Sequence, residues 1–109
     1  MARVAFLLRV REGSEMEYRL FHNKENLWPS IIEACQKAGL KNYTGFIGGS
    51  DGRTVFATFE SDDPEISLAK LQDDPANAEW QEHMAPLMES STSFESEGVG
   101  FLEEVFHID

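Results

Sequence analysis

Apolar and polar positions alternate with a period of two at the start of the chain. Across Ala2–Arg11, Val4, Phe6, Leu8 and Val10 fall on one face and Arg3, Ala5, Leu7, Arg9 and Arg11 on the other, which predicts a strand. Because Ala5 and Leu7 make the second face apolar near its middle, the strand is expected to be central or covered on both sides. Beyond Glu12-Gly13 the period lengthens. Ser14-Glu15-Met16-Glu17 has the Ser-x-x-Glu form of a capping box, and Met16, Leu20, Leu27, Ile31, Ile32 and Cys35 can supply a helical core stripe that Gly39 ends. Pro29 disfavours helical geometry at Trp28 and lacks an amide hydrogen, so two helical pieces are expected, about 15–24 and 29–38, broken at Asn23–Trp28.

Asn42–Ile47 and Arg53–Glu60 are β-rich and flank Gly48-Gly49-Ser50-Asp51-Gly52, which predicts a hairpin. Gly45 within the first of these strands points to a bulge or a close backbone approach. Ser61-Asp62-Asp63-Pro64 opens a helical region running to about Gln72, with Pro64 at the favoured first position. Asp73-Asp74-Pro75 repeats that punctuation before a segment whose Ala76, Trp80, Met84 and Leu87 or Met88 form one apolar stripe. Ser90–Gly100 is expected as a loop or flap, and Phe101–Ile108 as a last strand.

The succession β-α-β-β-α-β is the split βαβ pattern, in which two crossovers put the helices on one face of a four-stranded antiparallel sheet. The opposite face would stay uncovered, yet it too carries aliphatic and aromatic residues. A homodimer with two such sheets face to face would remove that patch from water.

Composition narrows the partners. The 109 residues fit one domain, 1–109, and 20 acidic against 9 basic residues leave a formal charge of −11. That excess repels phosphate backbones and anionic membrane surfaces, so neither nucleic acid nor membrane is an expected partner. No apolar run approaches the roughly 20 residues that span a bilayer. The single cysteine, Cys35, cannot form an internal disulfide, and the start of the chain does not resemble a secretion signal; a cytoplasmic location is expected.

Few residues are left to carry chemistry. His22, His83 and His107 lack companions at metal-ligand spacing, and Cys35 sits among apolar neighbours as a small hydrophobe would. The glycine-rich 48–52 joins two strands rather than opening a helix, which suits a hairpin turn and not a phosphate cradle. Glu103 and Glu104, adjacent on a strand, point to opposite faces. What remains is Tyr18 and His22, four residues apart on one helical face, with Tyr43, Trp28 and Trp80. Around one pocket they would combine aromatic planes, hydroxyls and one group titrating near neutrality. Such a lining suits an uncharged polyhydroxylated ligand, and equally a small apolar one.

Read together, Ala5-Phe6-Leu7-Leu8-Arg9-Val10, Glu17-Tyr18 with His22-Asn23, Leu27-Trp28-Pro29, Lys41-Asn42-Tyr43, Trp80 with Met84, and Glu103-Glu104-Val105-Phe106 resemble the L-rhamnose mutarotase family over nearly the whole chain. The resemblance implies a ferredoxin-like α+β fold of the dimeric α+β barrel type. It further implies a homodimer that interconverts the α and β anomers of a monosaccharide, L-rhamnose or a related deoxyhexose, without a cofactor. His22 would be the proton donor, Tyr18 and Tyr43 the sugar-binding hydroxyls, and Trp80, Gln81 and Trp28 further pocket wall. Two features depart from the family: Lys24-Glu25-Asn26 lengthen the step from the histidine to Trp-Pro, and Gln81 stands where a second tryptophan often follows the first. Competing functions on the same dimeric fold are a cofactor-independent monooxygenase or isomerase of small aromatic compounds, and a non-catalytic ligand-binding module.

Overall fold

The structure, a computed structural model, describes residues 1–89 and 100–109. Eight residues, Ala2–Arg9, form β1, which lies inside a four-stranded antiparallel sheet of order β2-β3-β1-β4. The other strands are β2 (Lys41–Gly48), β3 (Thr54–Ser61) and β4 (Gly100–Leu102). Between β1 and β2 come α1 (Glu15–His22) and α2 (Pro29–Ala38); between β3 and β4 come α3 (Pro64–Asp73), α4 (Pro75–Met84) and a 3₁₀ turn, Ala85–Leu87. This is the expected ferredoxin-like α+β arrangement, each crossover carrying two helical pieces. The expected loop or flap, residues 90–99, lies outside the described residues.

The alternation in β1 sorts the two faces of the sheet. Phe6 and Val10 are fully buried, as is Phe59 on β3, and with buried Val55 and Ala57 they meet Ile31, Ala34, Leu71, Trp80 and Met84 from the helical layer. Phe6 and Phe59 pack edge to face at 6.4 Å. On the far face, Phe46 opposes Phe56, which opposes Leu7, and Leu102 opposes Ala5. Phe46, Phe56, Leu7 and Leu102 are all exposed.

Local chemistry accounts for most boundaries. The helix break falls at Asn23–Trp28 as Pro29 requires, and Trp28 takes an extended backbone, ψ 129°, before α2 starts. Gly39 ends α2 with φ 90°, a left-handed position that glycine accepts without strain. Asp63 Oδ1 accepts from the Ile66 amide and Asp74 Oδ1 from the Ala76 amide, so both Asp-Pro pairs act as helix starts. The irregular register in β2 falls between Lys41 and Thr44, where Asn42 has φ 51°, just before Gly45.

Four expectations need correction. Ser14 makes no side-chain cap bond, because its backbone is not in the extended form a capping residue adopts; the Glu15 carboxylate accepts from the Gly13 amide instead. Met16 and Leu20 are exposed, and α1 turns Tyr18 and Phe21 toward the core in their place, since α1 is short and ends before the stripe can continue into α2. Ile32 is exposed as well, the buried side of α2 being Ile31, Ala34 and Ala38. Last, the strand expected over Phe101–Ile108 pairs only as far as Leu102. Beyond it, side chains replace the ladder: Arg3 Nη1 donates to Glu104 Oε1 at 3.1 Å and to His107 Nδ1 at 2.7 Å, and His107 Nε2 then donates to Asp109 at 2.8 Å.

Candidate active site

The end of α1 brings the first two candidate residues together. Spacing of four residues stacks the Tyr18 and His22 rings at 4.2 Å and 24°. His22 Nδ1 lies 2.8 Å from the Tyr18 carbonyl oxygen. A carbonyl only accepts, so Nδ1 carries the proton and Nε2 is left as the working nitrogen, bare when the ring is neutral. Trp80, from α4, meets the His22 ring edge to face at 5.4 Å. Tyr43, from β2, packs edge-on to Phe6 at 6.3 Å and to Phe59 at 5.8 Å, which fixes its ring on the core side of the sheet.

These four side chains, with Leu8, Ile31 and Cys35, line both of two adjoining cavities between the sheet and the helices, of about 520 and 630 Å³. Volumes of this size suit a small-molecule ligand. The first cavity adds Arg11, Asn77 and Gln81, and the second adds Arg19 and Asn42. Gln81 Nε2 donates to Asn77 Oδ1 at 3.4 Å, so this amide pair forms one polar side of the pocket. Trp28 lines neither cavity. It stands behind Trp80, edge to face at 5.1 Å.

Burial sets the protonation states. His22 stays exposed on one side, but the packing of its ring against Tyr18 and Trp80 removes water from the other and pushes the imidazole below its ordinary value of 6.5, against the opposing pull of the Tyr18 carbonyl, so the neutral ring predominates at pH 7. Burial also pushes the Tyr18 phenol up to about 12 and raises that of Tyr43 further, with contributions from Cys35 and Tyr18. Both phenols therefore keep their protons and act as hydrogen-bond donors. The Cys35 thiol is raised to about 11, mainly by burial, and is no nucleophile at neutral pH. Among its uncharged groups the site thus holds an imidazole, two phenol donors and an amide pair, against an indole wall, with Arg11, Arg19, Glu82 and Glu89 also in the lining.

Asn77 and Arg11 are among the lining residues that were not expected. Asn77, buried beside Trp80, lies three and four positions before Trp80 and Gln81, so helical spacing alone puts it on their face. Arg11 was placed on the far side by strict alternation. Val10 instead pairs with Met88 in an isolated bridge and the Arg11 amide donates to the Leu87 carbonyl at 2.7 Å, which carries the chain off the sheet and round to the pocket.

The model of one family, described as L-rhamnose mutarotase, matches residues 3–108. The chain belongs to the L-rhamnose mutarotase family. Among its relatives, the L-rhamnose mutarotase of Bacillus subtilis (strain 168) is 32% identical over 109 residues, all of both chains. That of Listeria monocytogenes serovar 1/2a is 32% identical over 108 residues, 99% of both. Among solved structures, an L-rhamnose mutarotase from Formosa agariphila superposes with a TM-score of 0.77 over the full length of both chains at 24% identity, a likeness of fold.

Proposed function

We propose that this protein interconverts the α and β anomers of L-rhamnose or a related deoxyhexose. The observation that carries the reading is the His22 hydrogen bond to the Tyr18 carbonyl, which turns Nε2 into the available acid–base nitrogen of a cavity walled by phenols and an indole. Family membership supports the choice of sugar. An aromatic substrate would leave the Gln81–Asn77 pair and both phenol donors unused, so the polar lining favours the sugar over the aromatic alternatives.

Ring opening removes a proton from the anomeric hydroxyl and delivers one to the ring oxygen; the aldehyde carbonyl then turns and the ring recloses on its other face. Both oxygens are bonded to the anomeric carbon, so one imidazole nitrogen can serve each in turn. Neutral His22 Nε2 takes the hydroxyl proton, and the resulting imidazolium donates to the ring oxygen; reclosure reverses these steps. Tyr18 and Tyr43 donate hydrogen bonds that hold the sugar oxygens, Trp80 and Gln81 form the wall, and Trp28 backs it. One positioned acid–base group supplies roughly 10²–10⁴-fold, enough to outrun a reaction that water already performs slowly.

A second copy of the chain is the proposed partner for the far face of the sheet. Phe46, Phe56, Leu7 and Leu102 form an exposed apolar surface that two-fold pairing would bury. No helix among the described residues is long and apolar enough to cross a membrane. A lone thiol fits the reducing cytoplasm, and the charge of −11 disfavours nucleic acid as a partner. The test of function is anomer exchange of L-rhamnose by saturation-transfer NMR. Wild type accelerates exchange and His22→Ala does not; equal rates would overturn the assignment of His22.

A further inference from the structure

The aromatic contacts do not stop at the cavity wall. His83, on α4, is stacked between two rings, Phe21 at 4.4 Å and 14° on one side and Trp28 at 4.7 Å and 28° on the other. Trp28 in turn stands edge-on to Trp80, and Trp80 edge-on to His22. A continuous series of ring contacts therefore runs from Phe21 on α1, through His83 on α4 and Trp28 before α2, back to the imidazole at the end of α1. None of Phe21, Trp28 and His83 lines either cavity.

We propose that His83 is a positioning residue for this site, its planar ring clamping Trp28 so that Trp28 holds the Trp80 indole against His22 and the sugar. The proposal rests on the reading that His22 acts on a sugar bound here. Its structural need comes from the non-helical segment 23–28 that separates His22 from Trp28. That segment is folded back on itself: Asn23 Oδ1 accepts from the Glu25 and Asn26 amides, Asn26 Nδ2 donates to the Leu20 carbonyl at 2.8 Å, and the Leu27 amide donates to the Asn23 carbonyl. These bonds tie the turn to α1, but they leave the Trp28 side chain to be oriented by what it packs on. His83 and Trp80, three residues apart on α4, offer it a face and an edge. With Trp28 locked, Trp80 has an indole behind it and covers one side of the His22 ring.

The test compares His83→Leu, which keeps apolar volume but has no flat ring, with His83→Phe, which keeps the flat ring and removes the nitrogens. Two readouts are taken: L-rhamnose exchange kinetics, and the pH titration of the His22 ring protons by NMR, the His22 signal being the one lost in His22→Ala. The expected result is a fall in kcat/KM of about tenfold in His83→Leu, with the His22 midpoint moving up toward 6.5, and restoration of both in His83→Phe. His83→Leu and His83→Phe both lack the His83 imidazole and both keep Arg11, Arg19, Glu82 and Glu89, the charged groups around the cavities, so a midpoint that differs between the two variants reports the missing flat ring rather than a changed charge. Unchanged kinetics and midpoint in His83→Leu would overturn the proposal, as would a His83→Phe variant as impaired as His83→Leu. Should His83→Leu fail to fold, sugar binding to wild type decides: L-rhamnose must shift the ring signals of His83 and Trp28 though neither lines the cavity, and unmoved signals sink the idea. Absence of exchange in wild type would count against the mutarotase reading alone, because the His22 titrations still test the clamp.

Discussion

The pH dependence of anomer exchange follows from the direction in which burial moves His22. Neutral His22 starts ring opening, so the enzymatic rate tracks the unprotonated fraction. A histidine titrating at the ordinary 6.5 would be only about 3% neutral at pH 5, a loss of roughly 30-fold from pH 8. Burial lowers the His22 value in the folded protein, so protonation sets in at a lower pH and the loss over the same interval is smaller than 30-fold. Tyr18, at about 12, and Tyr43, raised further, do not ionise below pH 9, so they add no fall on the alkaline side of neutrality. The profile expected is a plateau from about pH 7 to 9 and a single acid limb with its midpoint below 6.5. Saturation-transfer NMR across pH 4.5–9, with the buffer-only exchange subtracted at each point, measures it. A midpoint at or above 6.5, or an acid limb that survives in His22→Ala, would refute the assignment of Nε2 as the base.

Other consequences are structural. Phe56→Lys puts a charge in the middle of the exposed Phe46–Phe56–Leu7 surface and should convert a dimer to a monomer in sedimentation velocity; a wild type that is monomeric at the same concentration would remove the proposed partner. Buried Ser67 and Ser61 share a hydroxyl–hydroxyl bond of 2.6 Å, so Ser67→Ala should lower stability by about 0.5–1.5 kcal/mol in urea unfolding, the Ser61 hydroxyl keeping only the bond it accepts from the Asp63 amide. Gly39→Ala forces an L-residue to φ 90° and sets its Cβ 3.2 Å from Ser67 Oγ; a loss of about 1–3 kcal/mol is expected, and an unchanged unfolding midpoint would contradict the strain.

Local rules reach far into this protein, and their failures have a common cause. Proline geometry placed the break at Asn23–Trp28, Asp-Pro pairs placed the starts of α3 and α4, and period-two alternation sorted β1 between core and far face. Each of these depends on atoms within a turn or a pleat of one another. The Tyr18–His22 pair was legible for the same reason, being two rings one helical turn apart. Met16 and Leu20 misled because apolar character does not state which side of a short helix the rest of the molecule will cover. The last strand misled because an edge strand competes with side-chain bonds from Arg3, a residue at the other end of the chain.

By itself, then, the sequence determined the order of elements, the ferredoxin-like α+β class, the uncovered apolar face and the pair of rings at the end of α1. Tertiary structure alone decided the rest of the site. It brought Tyr43 from β2 and Trp80 from α4 to His22, swung Arg11 off the sheet into the cavity, set Trp28 behind the wall rather than in it, and lowered the His22 pKa. The reason is range: helical spacing and strand alternation act between near neighbours in the chain, whereas desolvation and ring contacts depend on groups that only the packed sheet and helices bring together.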